Sequence, residues 1–203
     1  MSQYFTVHPS HPQQRLIHRA AEIINSGGLV VYPTDTTYAL GCHIGDKTAL
    51  DRIRLIRRLD KNHQFTLTGR NLSDLSTYAR IDNSNYRTLK HFTPGPFTFL
   101  LPATREVPNR LVHPKRKTIG LRIPDHAIAL SLLEAMQGPL MTTSMRLPNA
   151  SVPLSEPEEI REQLEALVDV IIDGGSCGVV PTTVVDLTAT VPEIIRQGLG
   201  VLA

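Results

Sequence analysis

The chain has 203 residues, 41% hydrophobic and 20% charged, enough to bury a full core and unlike disordered or collagen-like chains. Two cysteines, Cys42 and Cys177, exclude a disulfide framework and point to a reducing compartment. The net charge of +2 hides an asymmetry: Lys47 to Arg122 holds 16 of the 21 Lys and Arg and five of the 19 Asp and Glu, giving +11 against −9 elsewhere.

Such a division suits an anionic partner, nucleic acid or nucleotide; a solvated basic face opposite an acidic C-terminal third is the other reading. No apolar run approaches the roughly 18–20 residues of a membrane span. The first ten residues lack the basic start and apolar middle of a signal peptide, so a cytoplasmic protein needing no membrane is expected. His8 and His11 are taken to lie in a disordered terminus.

In chain order, Leu16, Ile17, Ala20, Ile23 and Ile24 recur at helical spacing, and Gly27-Gly28 ends that helix. Leu29 to Tyr32 reads as a short buried strand closed by Pro33. Leu50, Ile53 and Ile56 form the stripe of a second helix. Strands follow at Thr98–Leu101 and Thr118–Ile123, a helix at Ala127–Met136 and an extended segment at Leu140–Ser144. Pro157 opens a helix predicted to reach Leu167, with Glu158, Glu159 and Glu162 near its positive N-terminal end. The last strands are Val168–Ile172, Thr182–Leu187 and Glu193–Arg196. Intermingled helices and strands predict one α/β or α+β domain around a single sheet.

Glycine-rich phosphate loops of known type, metal-ligand spacings and nucleophile elbows are all missing; Gly174-Gly175-Ser176-Cys177-Gly178 reads as a turn. What stands out is polar residues at strand ends. Tyr32-Pro33-Thr34-Asp35-Thr36-Thr37-Tyr38 follows a buried strand, where three threonines and a carboxylate bind a small polar ligand or cap the next turn. In Thr118-Ile119-Gly120-Leu121-Arg122-Ile123-Pro124, alternation sets Thr118, Gly120 and Arg122 on one face. An arginine in such a strand needs an anion. With Thr142-Thr143-Ser144 and Pro181-Thr182-Thr183, these segments suggest one polar cleft above a sheet.

The ordered set resembles the YrdC/YciO family, whose better-known members are threonylcarbamoyl-AMP synthases. It runs Tyr32 to Gly41, Thr93-Pro94-Gly95-Pro96-Phe97-Thr98, Thr118 to Pro124, Thr142-Thr143-Ser144, Thr182-Thr183-Val184-Val185-Asp186 and Ile195-Arg196-Gln197-Gly198. The resemblance covers residues 10 to 200 and implies an α/β single domain with a twisted mixed β-sheet flanked by helices. It implies that Thr36, Arg122, Thr142 and Thr182 hold threonine, with Arg122 on its carboxylate, and that Arg57, Thr118, Ser144 and Arg196 hold the nucleotide. ATP with Mg2+, L-threonine and bicarbonate are the implied reactants. No resident metal site and no catalytic residue is assigned.

The departures resemble the YciO branch rather than the established synthases. Where those enzymes carry Lys-x-Arg-Pro, this chain has Arg57, Leu59 and Asp60. Their asparagine aligns with His63, their later histidine with Thr68, and their Ser-x-Asn reads Ser144-Met145-Arg146. Leucine cannot neutralise a triphosphate, and Arg146 is far bulkier than asparagine. The family also implies binding of double-stranded RNA or tRNA. Arg54, Arg57, Arg58 and Lys61 are expected to form a helical stripe, and Arg110, Lys115, Arg116 and Lys117 a second cluster. Aromatics are 5% and absent from the basic runs, which favours phosphate and shape recognition over base stacking. The expected function is therefore an RNA-binding protein with a nucleotide and threonine cleft and threonylcarbamoyl-AMP synthase chemistry. The alternatives are a non-catalytic double-stranded RNA-binding module with a vestigial cleft, and an enzyme making another carbamoyl or acyl adenylate.

Overall fold

The computed structural model describes residues 2–60 and 63–202. Among them, ten strands form one mixed sheet in the order β1-β8-β2-β3-β7-β4-β6-β5-β9-β10. The strands are β1 (Gln3–Thr6), β2 (Val30–Tyr32), β3 (Ala39–His43), β4 (Thr66–Thr68), β5 (Phe97–Pro102), β6 (Thr118–Arg122), β7 (Leu140–Ser144), β8 (Val170–Asp173), β9 (Thr183–Asp186) and β10 (Glu193–Arg196). The helices are α1 (Gln14–Asn25), α2 (Lys47–Arg57), α3 (Leu72–Ser76), α4 (Asn83–Phe92), α5 (Ala127–Met136) and α6 (Pro157–Leu164). This is the expected single-domain α/β architecture.

Strand alternation explains the layers. Val31, Leu40, Leu67, Phe99, Leu121, Met141, Ile171 and Val185 enter one core cluster together with Leu50 and Ile53 of α2 and Ile160 and Leu164 of α6. The neighbouring positions Val30, Tyr32, Ala39, Leu140, Val170 and Ile172 point to the opposite face and pack against Ile17 and Ile24 of α1 and Ile128 and Leu132 of α5. The α1 and α5 side chains thus cover β2, β3, β7 and β8. Beyond β7 the same face turns from aliphatic to polar. Its positions there are Thr66 and Thr68 of β4, Thr118, Gly120 and Arg122 of β6, and Thr98 of β5. Threonine fits this surface because its branched Cβ favours a strand while its hydroxyl stays available.

Several expectations are revised. The N-terminus is ordered: β1 pairs in parallel with β8, Val7 is buried, and His8 Nδ1 accepts from the Ser10 and His11 amides. Strands β1, β3 and β4 and helices α3 and α4 carry too little apolar pattern to be read from the sequence; α4 buries Leu89 alone. Helix α6 ends at Leu164 because the Leu167 and Val168 amides both turn back onto the Leu164 carbonyl before β8. Helix α2 ends at Arg57, so the expected arginine stripe does not continue: Arg57 is buried, Arg58 takes a left-handed conformation with φ 49°, and Lys61 lies outside the described residues.

Candidate functional site

A cavity of about 360 Å3 opens on this polar face, within the size range of small-molecule sites. Gly120 lets its floor close: a Cβ there would lie 3.1 Å from Thr66 Oγ1 and 3.3 Å from Thr98 Cγ2. The hydroxyls pair across strands, Thr68 Oγ1 with Thr142 Oγ1 at 2.8 Å and Thr98 Oγ1 with Thr182 Oγ1 at 2.9 Å. These pairs satisfy buried polar atoms without water.

Arg122 stands at the centre. Its Nη2 donates to Asp35 Oδ1 at 2.7 Å, Thr36 Oγ1 at 2.8 Å and Thr34 Oγ1 at 3.1 Å. The anion an arginine in this strand requires is therefore Asp35, and all three of these bonds run from Nη2, none from Nη1. The Thr34 hydroxyl accepts from the Thr36 and Thr37 amides and donates to the Thr37 carbonyl at 2.6 Å. The structure shows the turn-capping reading for Thr34, while Thr36 and Thr37 line the cavity.

Arg196 closes another wall, donating to the Thr182 carbonyl at 2.9 Å and Thr182 Oγ1 at 3.3 Å. Burial and the charge of Arg146 lower its pKa from the usual arginine value. Arg116, expected on the RNA surface, also lines the cavity. Three guanidinium groups thus face it, and the described lining residues include neither Asp nor Glu.

Of the residues assigned to threonine, Thr36, Arg122, Thr142 and Thr182 all line this one cavity. Of those assigned to the nucleotide, Ser144 and Arg196 line it, whereas Thr118 sits beneath, accepting from Gln64 Nε2 at 3.1 Å. Arg57 is turned away into a neighbouring cavity and donates through Nη1 to the Arg146 carbonyl. Leu59 packs against the core and is the hydrophobic residue that closes the C-terminal turn of α2, its amide bonded to the Arg54 carbonyl at 3.0 Å. Of the RNA-assigned residues, Arg54 lies over the Phe65 ring at 5.7 Å and pairs with Asp51, and Arg110 is held by the Gly45 carbonyl. Arg58, Lys115, Arg116 and Lys117 are exposed.

Lining residues without an expected role include His63, Gln64, Thr66 and Thr98. The alternations Thr66-Leu67-Thr68 and Phe97-Thr98-Phe99 were the available signal. His63 Nε2 lies 3.3 Å from Thr143 Oγ1, and burial, then the charge of Arg57, lowers its pKa, so the ring is neutral at pH 7. Burial pushes the thiols of Cys42 and Cys177 up to about 12 and 11, so neither is an activated nucleophile. No group of three metal-ligating side chains occurs among the described residues.

Fold and site together define an α/β protein with an arginine- and threonine-lined cleft on the uncovered half of its sheet. The model of the Sua5/YciO/YrdC family, described as "Telomere recombination", matches residues 22–198, and the chain belongs to this family. It is 54% identical to the uncharacterized protein YciO of Escherichia coli, over 98% of this chain and 97% of that one, and superposes on the YciO crystal structure with a TM-score of 0.95. It is 56% identical to an uncharacterized protein of Haemophilus influenzae, over 98% of this chain and 97% of that one. A threonylcarbamoyl-AMP synthase of Pyrococcus abyssi is 32% identical over 90% of this chain and 54% of its own length. The structure of P. abyssi Sua5 complexed with L-threonine aligns with a TM-score of 0.89 at 29% identity, over 97% of this chain and 58% of that one. The chain thus spans little more than half of these synthase relatives. No helix among the described residues is long and apolar enough to cross a membrane.

Proposed function

We propose that the cleft takes L-threonine together with an adenine nucleotide, and that the chain retains threonylcarbamoyl-AMP synthase chemistry at a rate well below that of standard synthases. The observation that carries this is Arg122, set at the floor of a hydroxyl-lined cavity with Nη1 available beside the Thr36 hydroxyl. A single charge-assisted bond from Nη1 fits a carboxylate oxygen, and paired threonine hydroxyls fit a small polar side chain. The threonine-bound relative supports the same choice of amino acid.

In the proposed reaction the threonine amine combines with bicarbonate, water leaves, and the carbamate oxygen attacks the α-phosphorus of ATP with release of pyrophosphate. Arg116 and Arg196 would stabilise the phosphate charge, and Arg122 would orient the amino acid. The rate is lowered because Leu59, where synthases carry an arginine, is used for packing, and Arg57 is turned onto the Arg146 carbonyl. Losing one donor to developing charge costs roughly 10²–10³ in rate. The exposed basic residues Arg58, Lys115 and Lys117 support the companion proposal that structured RNA is the partner.

Calorimetry with L-threonine tests the reading. Wild type should bind it, and Arg122→Ala should weaken binding by about 1.5–3 kcal/mol. Pyrophosphate release from ATP should depend on both threonine and bicarbonate. Equal threonine affinity in both proteins, or none in either, would sink it. Binding without any pyrophosphate release would favour the non-catalytic alternative.

A further inference from the structure

We infer that the helix layer of α6, α2 and α4 is the docking surface for a second copy of this chain, met face to face about a two-fold axis at α2. All three helices enter the core cluster on one face of the sheet, the face opposite the cleft. They lie in order across it. Arg161 of α6 lies over the Tyr4 ring of β1 at 4.9 Å, α2 packs on β3, and Asn85 of α4 donates to the Leu187 carbonyl after β9 at 3.1 Å. The threonine cleft and this layer are therefore separate surfaces.

The outward residues of the layer divide by charge. On α6, Glu158, Glu159 and Glu162 are exposed while Ile160 and Leu164 are buried. On α4, Arg87 and Lys90 are exposed one turn apart, with Arg80 exposed just before the helix. The ion pairs among the described residues include none of these six. The middle of the layer is different. On α2, Asp51 pairs with Lys47 at 3.3 Å and with Arg54 at 3.5 Å, and Arg52 pairs with Asp169 at 2.7 Å. Among these neutralised charges stands Leu55, 78% exposed, the most exposed large hydrophobic side chain of the described residues. Leu167, also exposed, is tied to α2 through its carbonyl, which accepts from Arg52 Nη2 at 3.0 Å.

An acidic end, a neutralised apolar centre and a basic end make a surface complementary to itself. A two-fold rotation at α2 carries the acidic end of one copy onto the basic end of the other, twice per dimer. Leu55 and Leu167 then meet their own counterparts and leave water. A nucleic acid or an acidic protein would match the basic end alone, and a basic protein the acidic end alone, which selects a second copy as the occupant. Exposed ion pairs contribute little each, so the association they steer is weak and falls with salt.

Sedimentation velocity on the full chain, across a concentration series without nucleotide or RNA, tests the interface. At about 0.1 M salt the chain should approach twice its 22.5 kDa mass, and at about 1 M, where the Debye length falls to roughly 3 Å, it should dissociate. Two charge-reversed proteins carry the decisive measurement. One has Glu158→Lys, Glu159→Lys and Glu162→Lys; the other has Arg87→Glu and Lys90→Glu. All five changes are at exposed residues and are checked for folding by thermal melts. Each protein alone should associate roughly ten- to hundredfold more weakly than wild type, because like charges then face each other. Mixed in equal amounts, the two should recover a dimer, since both contacts regain opposite signs. Leu55→Asp should weaken the dimer too, and the cleft variant Arg116→Ala should leave it unchanged. A chain monomeric at both salt concentrations, a dimer weakened by only one of the two reversals, or reversed proteins that stay apart when mixed would each overturn the interface. Threonine binding through Arg122 is read separately, so failure here leaves the proposed function standing.

Discussion

Arg122 and Asp35 form a charge pair whose side chains are 11% and 12% exposed. Asp35 Oδ2 and Arg122 Nε are buried without a hydrogen-bond partner, and each group takes its counter-charge from the other. Removing one partner of such a pair leaves a buried uncompensated charge, whereas replacing both by apolar groups does not. Asp35→Asn should therefore lower stability by about 3–5 kcal/mol, and Asp35→Ala combined with Arg122→Met should lose less. Urea unfolding of wild type, single and double variants measures this; a double variant that loses the sum of the singles would show that the pair is not coupled. Histidine makes a second prediction at this scale. His63 and His126 both have pKa values held below the ordinary 6.5, first of all by burial. Above 6.5 both are neutral folded or unfolded, and that stability is intact. As pH falls below 6.5 the unfolded chain takes up protons first, so the contribution is lost down to the depressed folded pKa values. Melting temperature should drop as pH goes from 7.5 to 5, in the window below about 6.5, and His63→Gln with His126→Gln should flatten that drop. An unchanged slope would place the pH dependence on other groups.

At the scale of elements, the cleft depends on how the C-terminal segment lies against the residues entering β9. The Leu199 amide donates to the Pro181 carbonyl at 2.9 Å, and the Thr183 hydroxyl joins the Gly198 amide to the Gly200 carbonyl. Gly198 permits this approach: a Cβ would fall 2.3 Å from the Pro181 carbonyl oxygen and 2.5 Å from the backbone of Thr182. Backbone cannot yield as a flexible side chain does. Gly198→Ala should therefore cost about 1–3 kcal/mol and, by shifting Arg196 from Thr182, weaken ligand binding in the cleft as well. Thermal melts with and without ligand measure the two effects. A variant that melts like wild type would mean that the segment relaxes freely.

At the scale of the whole molecule, the positive residues clustered between Lys47 and Arg122 do not act as one patch. Arg122 lies in the cleft floor, Arg57 is buried, Arg52 pairs with Asp169 and Arg70 with Asp74 and Glu134. Lys115 and Lys117 remain exposed on the loop before β6. Charge reversal of these two should weaken binding of structured RNA irrespective of sequence and reduce the salt slope by about one unit for each phosphate no longer neutralised. Filter binding across a salt series measures it, and an unchanged slope would remove this loop from the RNA interface.

Local pattern alone determined much of this protein. Apolar periodicity located α1 and α5, alternation placed Thr118, Gly120 and Arg122 on one face, and the ordered threonine-rich segments identified the family. The need of a strand arginine for an anion was likewise legible, because a charge in an apolar strand has few outcomes. Only the tertiary structure decided which anion it was, since Asp35 reaches Arg122 across 87 residues of chain. It also decided that α1 and α5 stop short of β4, β6, β5 and β9, leaving those threonines uncovered as a cleft. Short elements such as β4 and α4 were invisible for the same reason: their order comes from neighbours distant in sequence, as when Thr66 pairs with both Gly120 and Thr142. Three arginines separated by up to 89 residues likewise share one cavity because the end of α2 and the loop after β7 meet in space, a meeting that no local spacing encodes.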